Sequence, residues 1–184
     1  NSIIVNNKAV IGGAIVCKGG SGPKFRNCII WGNTASNGGG QVFIKKNAGI
    51  KPEINNPKFY YCNIQGGLND FDLDGAAFIG TYENNIDSIP QFVSPSLGSG
   101  SDYNGVIADW SLQASSPCID KGDPNQTYET IDKAGNIRVR NCIIDMGTYE
   151  YQSASSFIVS ISKTHNILCH GNSSATLSAN ITGG

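Results

Sequence analysis

Three carboxylates stand two residues apart in Asp70-Phe71-Asp72-Leu73-Asp74-Gly75. Alternate oxygens ahead of a glycine are how a calcium loop opens, because they converge on one hard cation. The bidentate glutamate that would close an EF-hand loop belongs at position 81, where the chain has Thr81. Asp70, Asp72 and Asp74 are therefore a candidate calcium site, set against a solvated acidic loop, and no other cofactor is implied. Asp120, Asp123 and Asp145 could bind a metal, but read rather as turn and cap acceptors, since Asp bonds local backbone readily. Six cysteines, Cys17, Cys28, Cys62, Cys118, Cys142 and Cys169, contain no CxxC pair, which argues against zinc. Cys118 and Cys142 are the candidate disulfide, closing a loop with little core of its own. Cys28 and Cys62 fall at equivalent repeat positions and read as small buried apolar residues. His165 and His170 have no suitably spaced partner and read as loop residues. Trp31, Tyr60, Tyr61, Tyr82 and Tyr103 could form an aromatic platform for a glycan, or pack inward. No GxSxG, HExxH, phosphate-loop or dinucleotide motif occurs, so the chain is expected not to be an enzyme.

The elements that must carry these residues are short strands. Of 184 residues, only 15% are charged while 23 are Gly, a composition suited to tight turns between strands. A net charge of -1 gives no footprint for nucleic acid. No apolar run reaches the roughly 20 residues of a membrane span. The N-terminus has neither Met nor a signal-peptide pattern, so the chain reads as a segment whose export signal lies elsewhere.

Internal repetition organises the first third. Asn1-Ser2-Ile3-Ile4-Val5-Asn6-Asn7-Lys8-Ala9 matches Asn27-Cys28-Ile29-Ile30-Trp31-Gly32-Asn33-Thr34-Ala35 at an offset of 26. Pro23-Lys24-Phe25-Arg26-Asn27-Cys28 matches Pro57-Lys58-Phe59-Tyr60-Tyr61-Cys62 at an offset of 34. Glycine clusters precede the strands at Ala14–Val16 and Val42–Ile44. Each repeat is too short to enclose a core, so successive windings must stack strand on equivalent strand. Ile4, Ile30 and Ile64 would then form one interior column, with Asn and Gly at left-handed corners. Residues 49–56 would loop out. These repeats predict an all-β, right-handed parallel β-helix over residues 1–67. Residues 68–151 read as an irregular cap over its open end, with short strands at 76–79, 91–93, 110–112, 137–139 and 142–144.

From Asn27 to Tyr151 several blocks resemble pectin-lyase-like parallel β-helix surface proteins of Bacteroidetes. They include Asn27-Cys28-Ile29-Ile30-Trp31-Gly32-Asn33, Asp109-Trp110-Ser111-Leu112-Gln113, Ser116-Pro117-Cys118-Ile119-Asp120-Lys121-Gly122-Asp123-Pro124 and Ile144-Asp145-Met146-Gly147-Thr148-Tyr149-Glu150-Tyr151. They are similar to the closing choice-of-anchor segment of such proteins. Residues 152–156 would be a linker. Residues 157–184, with Cys169-His170-Gly171-Asn172-Ser173, resemble the start of a gliding-adhesin repeat, implying a small β-sandwich-like module. Asp87-Ser88-Ile89 is similar to the O-glycosylation acceptor of that phylum, making Ser88 a candidate. The resemblance implies a structural or adhesive segment of a large secreted cell-surface protein. It would be exported through the type IX system and meet extracellular surfaces, glycans or the motility machinery, without membrane insertion. The alternative is a polysaccharide-binding module or polysaccharide lyase.

Overall fold

The computed structural model describes residues 1–46, 55–126, 128–139 and 143–152, and the backbone of two later strands. Among the described residues it is all-β, with two single-turn 3-10 helices at Gly67–Asp70 and Gly100–Asp102. The chain divides into two compact units, Asn1–Tyr151 and Gln152–Gly184.

In the first unit, twelve strands run in the order β1 (Ile3–Val5), β2 (Lys8–Ala9), β3 (Ile15–Cys17), β4 (Lys24–Arg26), β5 (Ile29–Trp31), β6 (Thr34–Ala35), β7 (Val42–Ile44), β8 (Lys58–Tyr60), β9 (Asn63–Ile64), β10 (Thr81–Glu83), β11 (Phe92–Ser94) and β12 (Asp109–Leu112). The first ten pair only in parallel and only with their repeat equivalents. They form the stacks β1-β5-β9, β4-β8-β10, β2-β6 and β3-β7. Ile4 lies opposite Ile30 and Ile30 opposite Ile64, so the three isoleucines form the expected column. Phe25, Phe59 and Tyr82 form a second column, with the Phe25 and Phe59 rings stacked at 5.0 Å.

The corners follow from backbone chemistry. Asn27, Tyr61 and Asn84 lie one above another at φ between 51° and 54°. Asn6, Gly32 and Gly66 make a second left-handed column. Asn and Gly populate this region most readily, which explains why they recur at the repeat spacing. Gly13 has a different constraint: a Cβ there would run into the backbone of Gly40 and Thr34 in the next winding.

The stacking continues past residue 67. Asp72 bridges to Phe43, β10 pairs with β8, and Ile86 bridges to Asn63. Side-chain text is lost here because single bridges replace whole strands. Leu68, Leu73 and Phe78, between β9 and β10, pack on the core. The expected strand at 76–79 is absent; Phe78 turns inward edge-on to Phe71 at 6.0 Å instead. From the residues that follow, Phe92, Leu112, Cys118 and Met146 pack against the outer side of β1-β5-β9 and form a flank. Consecutive residues Ile29 and Ile30 are both fully buried. Neighbours on a strand face opposite sides, so Ile30 joins the inner core while Ile29 packs with Phe92, Leu112, Cys118 and Met146. β11 and β12 pair antiparallel within this flank. Ile137 makes only a single bridge, to Ile131.

In the second unit β13 (Ile158–Lys163) pairs antiparallel with β14 (Leu177–Thr182), in register from Ile158–Thr182 to Lys163–Leu177. Among the described residues, no helix is long and apolar enough to cross a membrane.

Candidate functional site

Where the flank meets the stack, it leaves a groove of about 340 Å³ lined by Val5, Trp31, Ile89, Phe92, Leu97 and Trp110. β1 and β5 place Val5 and Trp31 on the outer face in direct register. β12 brings Trp110 across from the flank, where Phe92 meets it edge-on at 5.1 Å. Tyr103 stacks on Trp110 at 6.2 Å and 18°. The ends of the segment that carries β11 form the rim, with Leu97 97% exposed and Ile89 69% exposed. Asn6 Nδ2 donates to the Ser96 carbonyl at 2.6 Å and ties that rim to the first winding. Flat aromatic faces beside an exposed apolar rim suit a ligand with one apolar face and polar edges.

Of the aromatic residues singled out by sequence, only Trp31 and Tyr103 reach this groove region. Tyr60 lies beneath the Arg26 guanidinium at 4.6 Å. Tyr82 packs on the inner core, and burial pushes its phenol up to about 12. Tyr61 turns a corner and lines a separate cleft with Asp120 and Met146. Sequence reasoning placed Trp110 on a strand but gave it no role. Its partner Trp31 comes from a distant repeat, and nothing local links the two.

The three acidic residues at 70–74 do not converge. Asp70 ends a 3-10 turn, Asp72 joins the β-bridge to Phe43, and Asp74 has a left-handed backbone. Asp72 Oδ1 accepts from Asp74 N at 3.0 Å, and Asp74 Oδ2 accepts from Lys46 N at 3.1 Å. Among the described residues no three His, Cys, Asp or Glu side chains are placed to hold a metal ion. The alternating spacing is spent on the winding itself, where the backbone turns between successive carboxylates.

Cys118 is a buried free thiol that accepts from Asn63 Nδ2 at 3.1 Å. Its candidate partner Cys142 lies outside the described residues, as do residues 47–54, the 153–156 linker, Arg140, His165, Cys169 and His170. Ser88 is half-buried beside exposed Asp87 and Ile89, and its backbone N–H and C=O both bond the Asn63 side chain.

The remaining acids clasp the flank together. Asp145 accepts from the backbone of Asp120 and Tyr151. Asp132 accepts from the backbone of Ala134, Asn136 and Glu150. Glu150 faces Arg138 Nε at 3.3 Å, and burial, with Asp145 close by, pushes its carboxyl up to about 8. Asp123 pairs with Arg26 of β4 and caps Asn125 N, while its own N–H donates to Asn27 Oδ1 at 2.8 Å. These bonds fix the flank to the stack and leave both described arginines engaged.

No protein-family profile, curated protein or solved structure matches this chain.

Proposed function

We propose that residues 1–86 are windings of a right-handed parallel β-helix, and that the chain is a structural and adhesive segment of a large secreted cell-surface protein. One observation carries this reading: equivalent residues of successive windings pair in parallel and in register, with Ile4, Ile30 and Ile64 in one column. A stack of that kind propagates by nearest-neighbour contacts and gives a stiff support for display. The flank adds stiffness by burying the outer face of β5 as well as the inner. The small net charge favours neither nucleic acid nor an anionic membrane as the partner. Export by the type IX route and contact with extracellular surfaces belong to the same proposal.

The Trp31–Trp110 groove favours glycan recognition as the adhesive contact, because aromatic faces can stack on the apolar face of a sugar ring. The full chain, immobilised on beads, is expected to retain particular glycans from an array, with retention falling at least tenfold in Trp110→Ala. Acidic polysaccharides incubated with the chain, with and without calcium, are expected to remain uncleaved. Cleavage that disappears in Asp72→Asn would replace the adhesive reading with the lyase one.

A further inference from the structure

We infer that Cys28 and Cys62 are the two halves of a disulfide that staples one winding of the stack to the next. Arg26 pairs with Tyr60 and Ile29 with Asn63, so Cys28 and Cys62 are register partners between two paired positions. Parallel neighbours lie about 4.8 Å apart, inside the Cα separation of about 4.4–6.8 Å that a disulfide spans. Both thiols point into the same core, and Cys28 N approaches Cys62 Sγ at 3.5 Å. Both follow a left-handed corner residue, Asn27 or Tyr61, and lie between strands rather than within one.

Among the described residues the other two thiols have no such partner. Cys17 is registered against Ile44. Cys118 packs in the cluster on the opposite side of β1-β5-β9 from Cys62. The neighbouring Cys62 sulfur draws the Cys28 thiol down, and burial pushes the Cys62 thiol up.

The oxidant is a disulfide, either low-molecular-weight or on a thiol–disulfide oxidoreductase. The thiolate of either cysteine attacks one oxidant sulfur and expels the other as a thiol, leaving a mixed disulfide. The second cysteine loses its proton to solvent and attacks the first cysteine's sulfur, expelling the second thiol. The two cysteines lose two protons and two electrons, and the oxidant disulfide becomes two thiols. Both sulfurs are buried in the finished stack, so the exchange occurs while the windings close.

The test is to refold the full chain with oxidised and reduced glutathione, block remaining thiols with N-ethylmaleimide, and digest with trypsin and chymotrypsin. A cross-linked peptide pair containing Cys28 and Cys62 is expected. Reduction should lower the thermal midpoint on the order of 10 °C, and the Cys28→Ala/Cys62→Ala chain should show no such redox-dependent shift. Recovery of both cysteines as maleimide adducts, or of either joined to a different cysteine, would overturn the inference. Because refolding supplies the oxidant, the outcome does not depend on where the protein works.

Discussion

The amide cluster at the second corner is the sharpest test of how the windings are joined. Asn33 Oδ1 accepts from Asn7 N at 3.0 Å and Asn7 Nδ2 at 2.8 Å. Its Nδ2 donates to the Ile4 carbonyl at 2.9 Å and to Gln41 Oε1 at 2.8 Å. Gln41 Nε2 donates to Asn33 O at 2.9 Å and Gln65 Oε1 at 3.2 Å, and Gln65 Oε1 also accepts from Gly32 N. The Asn33 and Gln41 side chains together thus link three successive windings. In Asn33→Ala the exposed Asn7 groups turn to water, but Gln41 Oε1 and the Ile4 carbonyl lose their Asn33 donor. An orphaned buried group costs about 1–3 kcal/mol, so the substitution should cost about 2–5 kcal/mol, a large share of a domain's stability. Urea unfolding followed by tryptophan fluorescence reads this directly, because Trp31 is two residues away. The midpoint should fall with the m-value unchanged. Gln41→Leu added to Asn33→Ala should cost less than the sum of the two single changes, because one orphan is removed. A loss below about 1 kcal/mol, or strict additivity, would refute a buried inter-winding network.

Arg26→Met should destabilise by about 3 kcal/mol in the same assay, since it strands buried Asp123 without its cation. Gly13→Ala should be at least as damaging as a core truncation, because its Cβ meets backbone that cannot rotate away; a thermal midpoint within 2 °C of the parent, on the scale of about 2–4 °C per kcal/mol, would contradict the close approach. Glu150 titrates at about 8 when folded against an ordinary 4.5, so folding takes up a proton between those values. That contribution is complete below pH 4.5 and lost as pH rises through 8, so stability measured from pH 5 to 9 should decline, by at most about 5 kcal/mol, and Glu150→Gln should flatten the profile. Millimolar calcium should leave the thermal midpoint within about 1 °C, whereas a specific site would raise it through mass action.

Much of the stack was legible in the sequence because register forces repetition. Ile4, Ile30 and Ile64 recur since each fills the same interior slot, and Asn27 and Asn84 recur since their corner needs a positive φ. The end of the third repeat and the start of a fourth were hidden because Asp72 and Ile86 contribute single bridges, where almost any side chain serves. The packing of Phe92, Leu112, Cys118 and Met146 on the outer face of β5 was not legible, because hydrophobic residues give no sign of which apolar face they will cover. Ile29 and Ile30 carry the missing clue: two adjacent buried isoleucines on a strand require cover on both sides. The groove was only half visible, since Trp31 and Trp110 meet through tertiary packing alone. The spacing of Asp70, Asp72 and Asp74 suggested convergence, but convergence depends on a loop backbone that this winding does not adopt.

The central claim is that successive windings lie parallel with like residues in one column. Methyl-labelled NMR spectra of the full chain test it most directly. Ile30 methyls should show nuclear Overhauser contacts to both Ile4 and Ile64, with no cross-strand Hα–Hα contacts of the antiparallel kind among β1, β5 and β9. Ile30 contacting only one of the two, or antiparallel Hα–Hα contacts between these strands, would contradict the account.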